Sequence, residues 1–127
     1  HGQVKKDQWE AMQQWIQKNT PESSDITMIG SGGNINTTYK IAQPNNALLP
    51  ISKIKKIKKE LEQYDTQERM LRFDLNPDRS DVIIHALNIF LSVSRWAGAR
   101  SMMVPKKGLA DGMVKELFYR QFPHYQE

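Results

Sequence analysis

The stretch Leu75–Gly98, LNPDRSDVIIHALNIFLSVSRWAG, limits the possible folds more than any other part of this chain. Val82, Ile83, Ile84, Ala86, Leu87, Ile89, Phe90, Leu91, Val93 and Trp96 go most of the way round a helical wheel. A helix apolar on nearly every side is a central helix, which other elements must cover. Asn76-Pro77-Asp78-Arg79-Ser80-Asp81 writes out its start. Asp78 or Ser80 suits the cap, and Asp81 puts negative charge where the helix dipole favours it. Gly98 suits a left-handed C-terminal cap. Arg79, at the front of a buried helix, is the odd residue. Two readings of it are open. It pairs with Asp78, Asp81 or a neighbouring carboxylate, or it helps hold a phosphate where the helix terminus already favours an anion.

The flanking segments supply the cover. Trp9, Met12 and Ile16 mark an amphipathic helix over residues 4–19, and residues 19–24 form its exit loop. Asp25–Ile29 is a short strand that runs into Gly30-Ser31-Gly32-Gly33. A helix opens at Asn34, with Ile35 and Tyr39 packed. Residues 48–51 form a short extended piece. Ser52 suits the cap of a helix over 53–64, whose buried stripe is Ile54, Ile57 and Leu61. A short helix over 66–73 starts at Thr66. Beyond the central helix come a strand over 99–104, a turn over 105–108 and a closing helix over 109–122. Met113, Leu117 and Phe118 face inward on that last helix. The order α–β–α–α–α–α–β–α predicts a helix-rich α/β fold with a thin sheet of two or three strands. Sheets usually have more, so the chain reads as part of a larger α/β domain.

Composition narrows the classes. The chain has 127 residues, 39% of them hydrophobic, enough for one domain with a core. No apolar run approaches the length of a membrane span. The start lacks the continuous apolar core of a signal peptide, and its first residue is not Met, as in a chain that begins internally or was trimmed. There is no cysteine, so thiolate metal sites and disulfides are excluded and a reducing cytoplasm is compatible. The net charge of +4 permits an anionic ligand without requiring one.

Three groups of residues are candidates for chemistry. In Met28–Ile35 a strand feeds a glycine-rich turn that opens a helix. Gly30, Ser31, Gly32, Gly33 and Asn34 can bring backbone N–H groups to a phosphate, and a purely structural tight turn is the alternative. The spacing is neither G-x-G-x-x-G nor a P-loop. Lys53, Lys55, Lys56, Lys58 and Lys59 form a basic helix face that a solvated surface also explains. No aromatic residues interleave with them, which argues against single-stranded nucleic acid. His85 on the apolar helix reads as a packed, hydrogen-bonded residue. No spacing matches a metal site, and Ser92 and Ser94 lack a nucleophile motif. No residue qualifies as catalytic.

Taken in order, these pieces resemble the C-terminal part of the phosphatase domain of the exopolyphosphatase/guanosine pentaphosphate phosphohydrolase (Ppx/GppA) family. That family belongs to the actin-like ATPase superfamily, with a ribonuclease-H-like fold. Ile29–Ile35 sits where the family has a strand and a G-T-S-G-T-like turn. Gln67-Glu68-Arg69 followed by Leu75-Asn76-Pro77-Asp78-Arg79-Ser80-Asp81-Val82-Ile83 is similar to its E-E-R … L-x-P-x-R-A-D-V-I. Gly108-Leu109-Ala110-Asp111-Gly112 resembles its G-L-R-E-G, with Ala110 and Asp111 in place of arginine and glutamate. Pro105-Lys106-Lys107 departs from its usual turn.

The resemblance implies that residues 1–127 are a single fragment, the C-terminal part of the second lobe of a two-lobed enzyme. The family's D-x-G-S-N and G-G-G-S-T-E loops have no counterpart here. The parent would release orthophosphate from inorganic polyphosphate or guanosine pentaphosphate with Mg²⁺. This chain alone would be inactive and would bind no metal itself. Its substrate-binding residues would be Gly30, Ser31, Gly32, Gly33, Asn34 and Arg79. Its partners would be polyphosphate or a guanosine polyphosphate and the missing N-terminal lobe, with neither nucleic acid nor a membrane, in the cytoplasm. The oligomeric state stays open, a homodimer included. The alternative is a non-catalytic module that binds a nucleotide or polyanion through the same glycine turn.

Overall fold

The computed structural model describes residues 5–21, 25–105 and 109–125, apart from the side chains of 109–114 and 125. Residues 106–108 of the expected turn over 105–108, half of the exit loop and the placement of Met113 fall outside this set.

The sequence feature that dominates the chain forms α5 (Pro77–Ala97). Its cap is Asn76, not Asp78 or Ser80: Asn76 Oδ1 accepts from Arg79 N–H at 2.7 Å. Pro77 at the first helical position lacks an N–H that would need a partner there. Gly98 closes the helix with φ 74°. α5 touches α1 (Lys6–Asn19), α2 (Gly33–Ala42), α3 (Ile51–Glu62), α4 (Thr66–Phe73) and β3 (Ala99–Met103).

It is therefore the hub, but it is not covered on all sides. Only Ser80, Ile83, Leu87 and Ser94 are fully buried. Val82 and His85 are exposed, so His85 is not the packed residue its apolar setting suggested. Its other apolar side chains are half-buried, Ile84, Phe90 and Leu91 packing against the core, and Val82 is exposed at the margin.

Three strands form a mixed sheet in the order β1–β3–β2. β1 (Ile26–Ile29) runs parallel to β3, and β2 (Leu48–Pro50) runs antiparallel to it. Register places Met28, Met102 and Leu49 in one row and Ile29, Met103 and Leu48 in the next. Side chains alternate between sheet faces, so these rows point opposite ways. Met102 and Leu49 enter the core with Ile35, Ile54, Ile57, Leu61, Ile83 and Leu87. Ile29, Met103 and Leu48 stay exposed, Ile29 at 74%. Among the described residues, helices cover one face of the sheet only.

Caps and staples refine the expected boundaries. α3 starts at Ile51 after Pro50, so Ser52 does not cap it. Asp65, not Thr66, caps α4, accepting from Glu68 N–H at 2.9 Å. Arg69 ties three segments together. Its Nε donates to the Leu61 carbonyl at 2.8 Å and its Nη1 reaches the Ser80 carbonyl at 3.5 Å. The buried Ser80 hydroxyl donates to the Thr66 carbonyl at 2.8 Å. The ends of α3, α4 and α5 are thereby held in one junction. α1 rests on α5 through an edge-to-face contact of Trp9 with Trp96, centroids 5.4 Å apart.

α6 (Leu109–Gln121) packs chiefly on the short 3₁₀ turn Pro123–Tyr125. Leu117 and Phe118 are exposed, contrary to the inward placement expected for them. The apolar spacing of this helix exists in the sequence, but α5 is not its main partner.

Candidate functional site

β1 delivers the chain to the glycine turn, and each glycine has a different task. Gly30 is buried. Its N–H donates to the Met103 carbonyl at 2.8 Å, extending the sheet, and a β-carbon there would run into Met102 Sδ. It holds the turn against the core and has no N–H left for a ligand. Ser31 is exposed, with no hydrogen bond among the described residues. Gly32 takes φ 106°, a conformation that side chains oppose, and serves as the N-cap of α2. A glycine cap has no side chain to offer, so the N–H groups of Gly33, Asn34 and Ile35 have no capping partner. Three such donors and the positive end of the dipole are the ordinary components of an anion site.

Arg79 comes to this same place from the first turn of α5. A β-carbon on Gly33 would collide with its guanidinium, so the arginine lies directly on the start of α2. Its Nη1 donates to Asn34 Oδ1 at 2.6 Å. The side chain is half-buried, and it forms no ion pair with Asp78, Asp81 or Glu68. Of the two readings of Arg79, local carboxylate pairing is the one the geometry removes. A neutral amide orients the guanidinium and leaves its charge uncompensated.

The turn opens onto a cavity of about 800 Å³. One wall is the α2 stripe Gly33, Asn36, Thr37 and Lys40, spaced i, i+3, i+4 and i+7. The other wall is the α4–α5 connection, with Arg72, Asp74, Asn76 and Arg79. Arg72 stacks over the Tyr64 ring, 4.3 Å from its centroid. Lys40, Arg72 and Arg79 face Glu60 and Asp74, so the groove is polar with a basic excess of one. The sequence reading missed Lys40, Arg72 and Asn76. The helical spacing from Gly33 to Lys40 is the signal that pointed to the first of these. Arg72 and Asn76 enter through the tertiary fold, because α4 turns back at Asp74, whose φ is 54°.

Among the described residues no group of three or more His, Asp or Glu side chains converges as a metal site. No residue here is assigned to magnesium. None is placed as a general base either.

The helix-rich fold with its thin mixed sheet is that of the Ppx/GppA phosphatase structures, an actin-like ATPase type of fold. Crystal structures of the Aquifex aeolicus Ppx/GppA phosphatase match the chain with TM-scores of 0.70, for the type II variant, and 0.72. Identities are 23% and 22%, over 87% and 90% of this chain. An exopolyphosphatase from Cytophaga hutchinsonii matches at TM-score 0.71 with 16% identity over 87% of the chain. The chain spans only about 40% of the length of the Aquifex structures and 38% of the Cytophaga one. No protein-family model matches the sequence, and no curated protein matches it significantly. Among the described residues no helix is long and apolar enough to cross a membrane.

Proposed function

We propose that this chain is the part of a phosphoanhydride hydrolase that holds substrate phosphate, and that the whole enzyme releases orthophosphate from inorganic polyphosphate or guanosine pentaphosphate. The observation that carries this reading is Arg79, fixed by Asn34 over the start of α2 and in no ion pair among the described residues. Backbone N–H groups with a guanidinium beside them suit a phosphoryl group, whose oxygens accept several hydrogen bonds at once. The chain's own contribution is to bind and orient. Gly32, Gly33 and Asn34 shape the anion seat, Arg79 supplies charge and a planar fork, and the groove toward Lys40 and Arg72 has room for the rest of an extended substrate. Magnesium and the residues that activate water belong, on this reading, to chain outside these residues, in the cytoplasm.

The bare face of the sheet favours a longer protein. Ile29, Met103 and Leu48 form an exposed apolar row beside the free edge of β1. Soluble folds rarely leave such a face and edge uncovered. The second reading is a non-catalytic module that binds a nucleotide or polyanion in the same groove; it draws on the absence of any assigned base or metal ligand.

Two measurements test these readings. Orthophosphate release from polyphosphate with magnesium is expected from the full-length protein and not from residues 1–127 alone. Release by the isolated chain overturns the fragment assignment. Absence from the full-length protein, with binding intact, favours the module. Titration of pyrophosphate into wild type and Arg79→Lys tests the site itself. Lysine cannot reproduce the planar fork, so affinity should fall. Equal affinities remove Arg79 from the site.

A further inference from the structure

A second hollow lies at the other end of the sheet. It has a volume of about 390 Å³ and sits between α3 and α5, beside Ala99. The glycine turn follows Ile29, which pairs with Met103. Ala99 begins the strand that ends at Met103, four residues on and therefore about 13 Å away. The two places cannot share one small ligand.

The walls of this hollow are basic. Lys55 and Lys58 come from α3, Arg95 from α5, and no carboxylate lines it. The helix α3 separates its lysines by position. Ile54, Ile57 and Leu61 form its buried row. Lys55 and Lys58 flank that row on the side toward α5, whereas Lys53, Lys56 and Lys59 line no part of the hollow. The facing stripe of α5 is Asn88, Ser92 and Arg95, spaced four and three apart. Lys58 is paired with Glu62 at 2.9 Å. Lys55 and Arg95 have no ion pair, and the side chains of Asn88 and Ser92 make no hydrogen bond, among the described residues.

The same α5 stripe borders a neighbouring hollow against α1, where Lys6 and Glu10 are the charged residues from that helix. Arg95 stands between the two hollows and is exposed. The charges facing the site are therefore Lys55, Lys58, Arg95 and Lys6 against Glu62 and Glu10, an excess of two cations. Two unpartnered cations, an amide and a hydroxyl around one concavity make a complementary seat for a compact polyanion.

We propose that the α3–α5 hollow is a second oxyanion site, taking a pyrophosphate-class ligand between Lys55 and Arg95 with Asn88 and Ser92 as hydrogen-bond partners. This inference does not depend on the function proposed for the glycine turn.

The test uses pyrophosphate, the 127-residue chain and backbone amide NMR at low salt, where surface charge is least screened. In wild type, the amides of Asn88 and Ser92 should shift on titration, as a set separate from Gly33 and Asn34. Lys55→Gln/Arg95→Gln should weaken the Asn88–Ser92 response roughly tenfold or more, the scale of losing charge-assisted hydrogen bonds. Lys53→Gln/Lys56→Gln removes the same charge from the same helix outside the hollow and should leave that response within about twofold. Arg79→Lys should leave it unchanged. Equal weakening by the two double variants would reduce the effect to net charge and overturn the proposal, as would the lack of any wild-type shift at Asn88 and Ser92. The side chains substituted in the two double variants are exposed, Arg79 is half-buried, and amide spectra of each variant verify the fold before titration.

Discussion

Gly33→Ala separates the anion-seat reading from a purely structural turn. The added methyl would strike the Arg79 guanidinium, the far end of a flexible side chain, so the arginine must swing away. That breaks the 2.6 Å bond from Nη1 to Asn34 Oδ1. Hydrogen bonds to charged groups contribute about 1.5–3 kcal/mol, and the half-exposed position of Arg79 brings this one toward about 1 kcal/mol. Against it, replacing glycine with alanine in a compatible helical position stabilises by about 0.4–1 kcal/mol, through the unfolded chain. Gly33 has no positive φ, so the compatible case applies. The two terms nearly cancel, and the melting temperature should move by less than about 4 °C. Anion binding has no such offset. Losing one oriented, charge-assisted contact of about 2 kcal/mol corresponds to a roughly thirtyfold weaker pyrophosphate affinity. Circular-dichroism melts read stability, and the amide shifts of Asn34 and Ile35 on pyrophosphate titration read affinity at this site alone. Unchanged affinity with an unchanged melt would refute the seat. So would a destabilisation above about 2 kcal/mol, which would mean that Arg79 is a structural staple.

Gly30→Ala should give the opposite pattern: its methyl meets the buried Met102 and Ile35, so overpacking should cost about 1–3 kcal/mol while affinity per folded molecule holds. Urea denaturation of Leu87→Ala should show a loss of about 2–5 kcal/mol, since that side chain is fully buried; a loss under about 0.5 kcal/mol would mean the core is not centred on α5. Arg69→Met should destabilise by about 1–3 kcal/mol by stranding the Leu61 and Ser80 carbonyls, measurable as a lower denaturation midpoint with an unchanged slope.

Local physics made much of the fold legible. The all-round apolar run announced α5, and the Asn76–Asp81 segment and Gly98 marked its ends. The period of Ile54, Ile57 and Leu61 gave the buried row of α3, and Gly-rich backbone after a β-rich run gave the turn. These features depend on residues a few positions apart, whose spacing and conformational limits are written in the chain. Caps were legible only as sets of candidates. Asn76 and Asp65 won over Asp78, Ser80 and Thr66 because the cap is whichever side chain reaches a free N–H, and that depends on the entry angle of the backbone.

Tertiary structure alone decided the rest. The apolar wheel of α5 suggested burial on all sides, yet the described sheet and helices fully bury only the stripe from Ser80 to Ser94 and leave the other apolar side chains half-buried. The inward side of Leu117 and Phe118 was an inference from spacing, which gives a helix an apolar face without naming what covers it. Arg79 had three nearby carboxylates in sequence, but its partner is Asn34, 45 residues earlier. Likewise Lys55 and Arg95, 40 positions apart, share one hollow only because α3 packs along α5. Sequence spacing sets what a side chain can offer and on which face of its own helix. Whether two such faces meet depends on how helices pack across the core, and that depends on the whole chain at once.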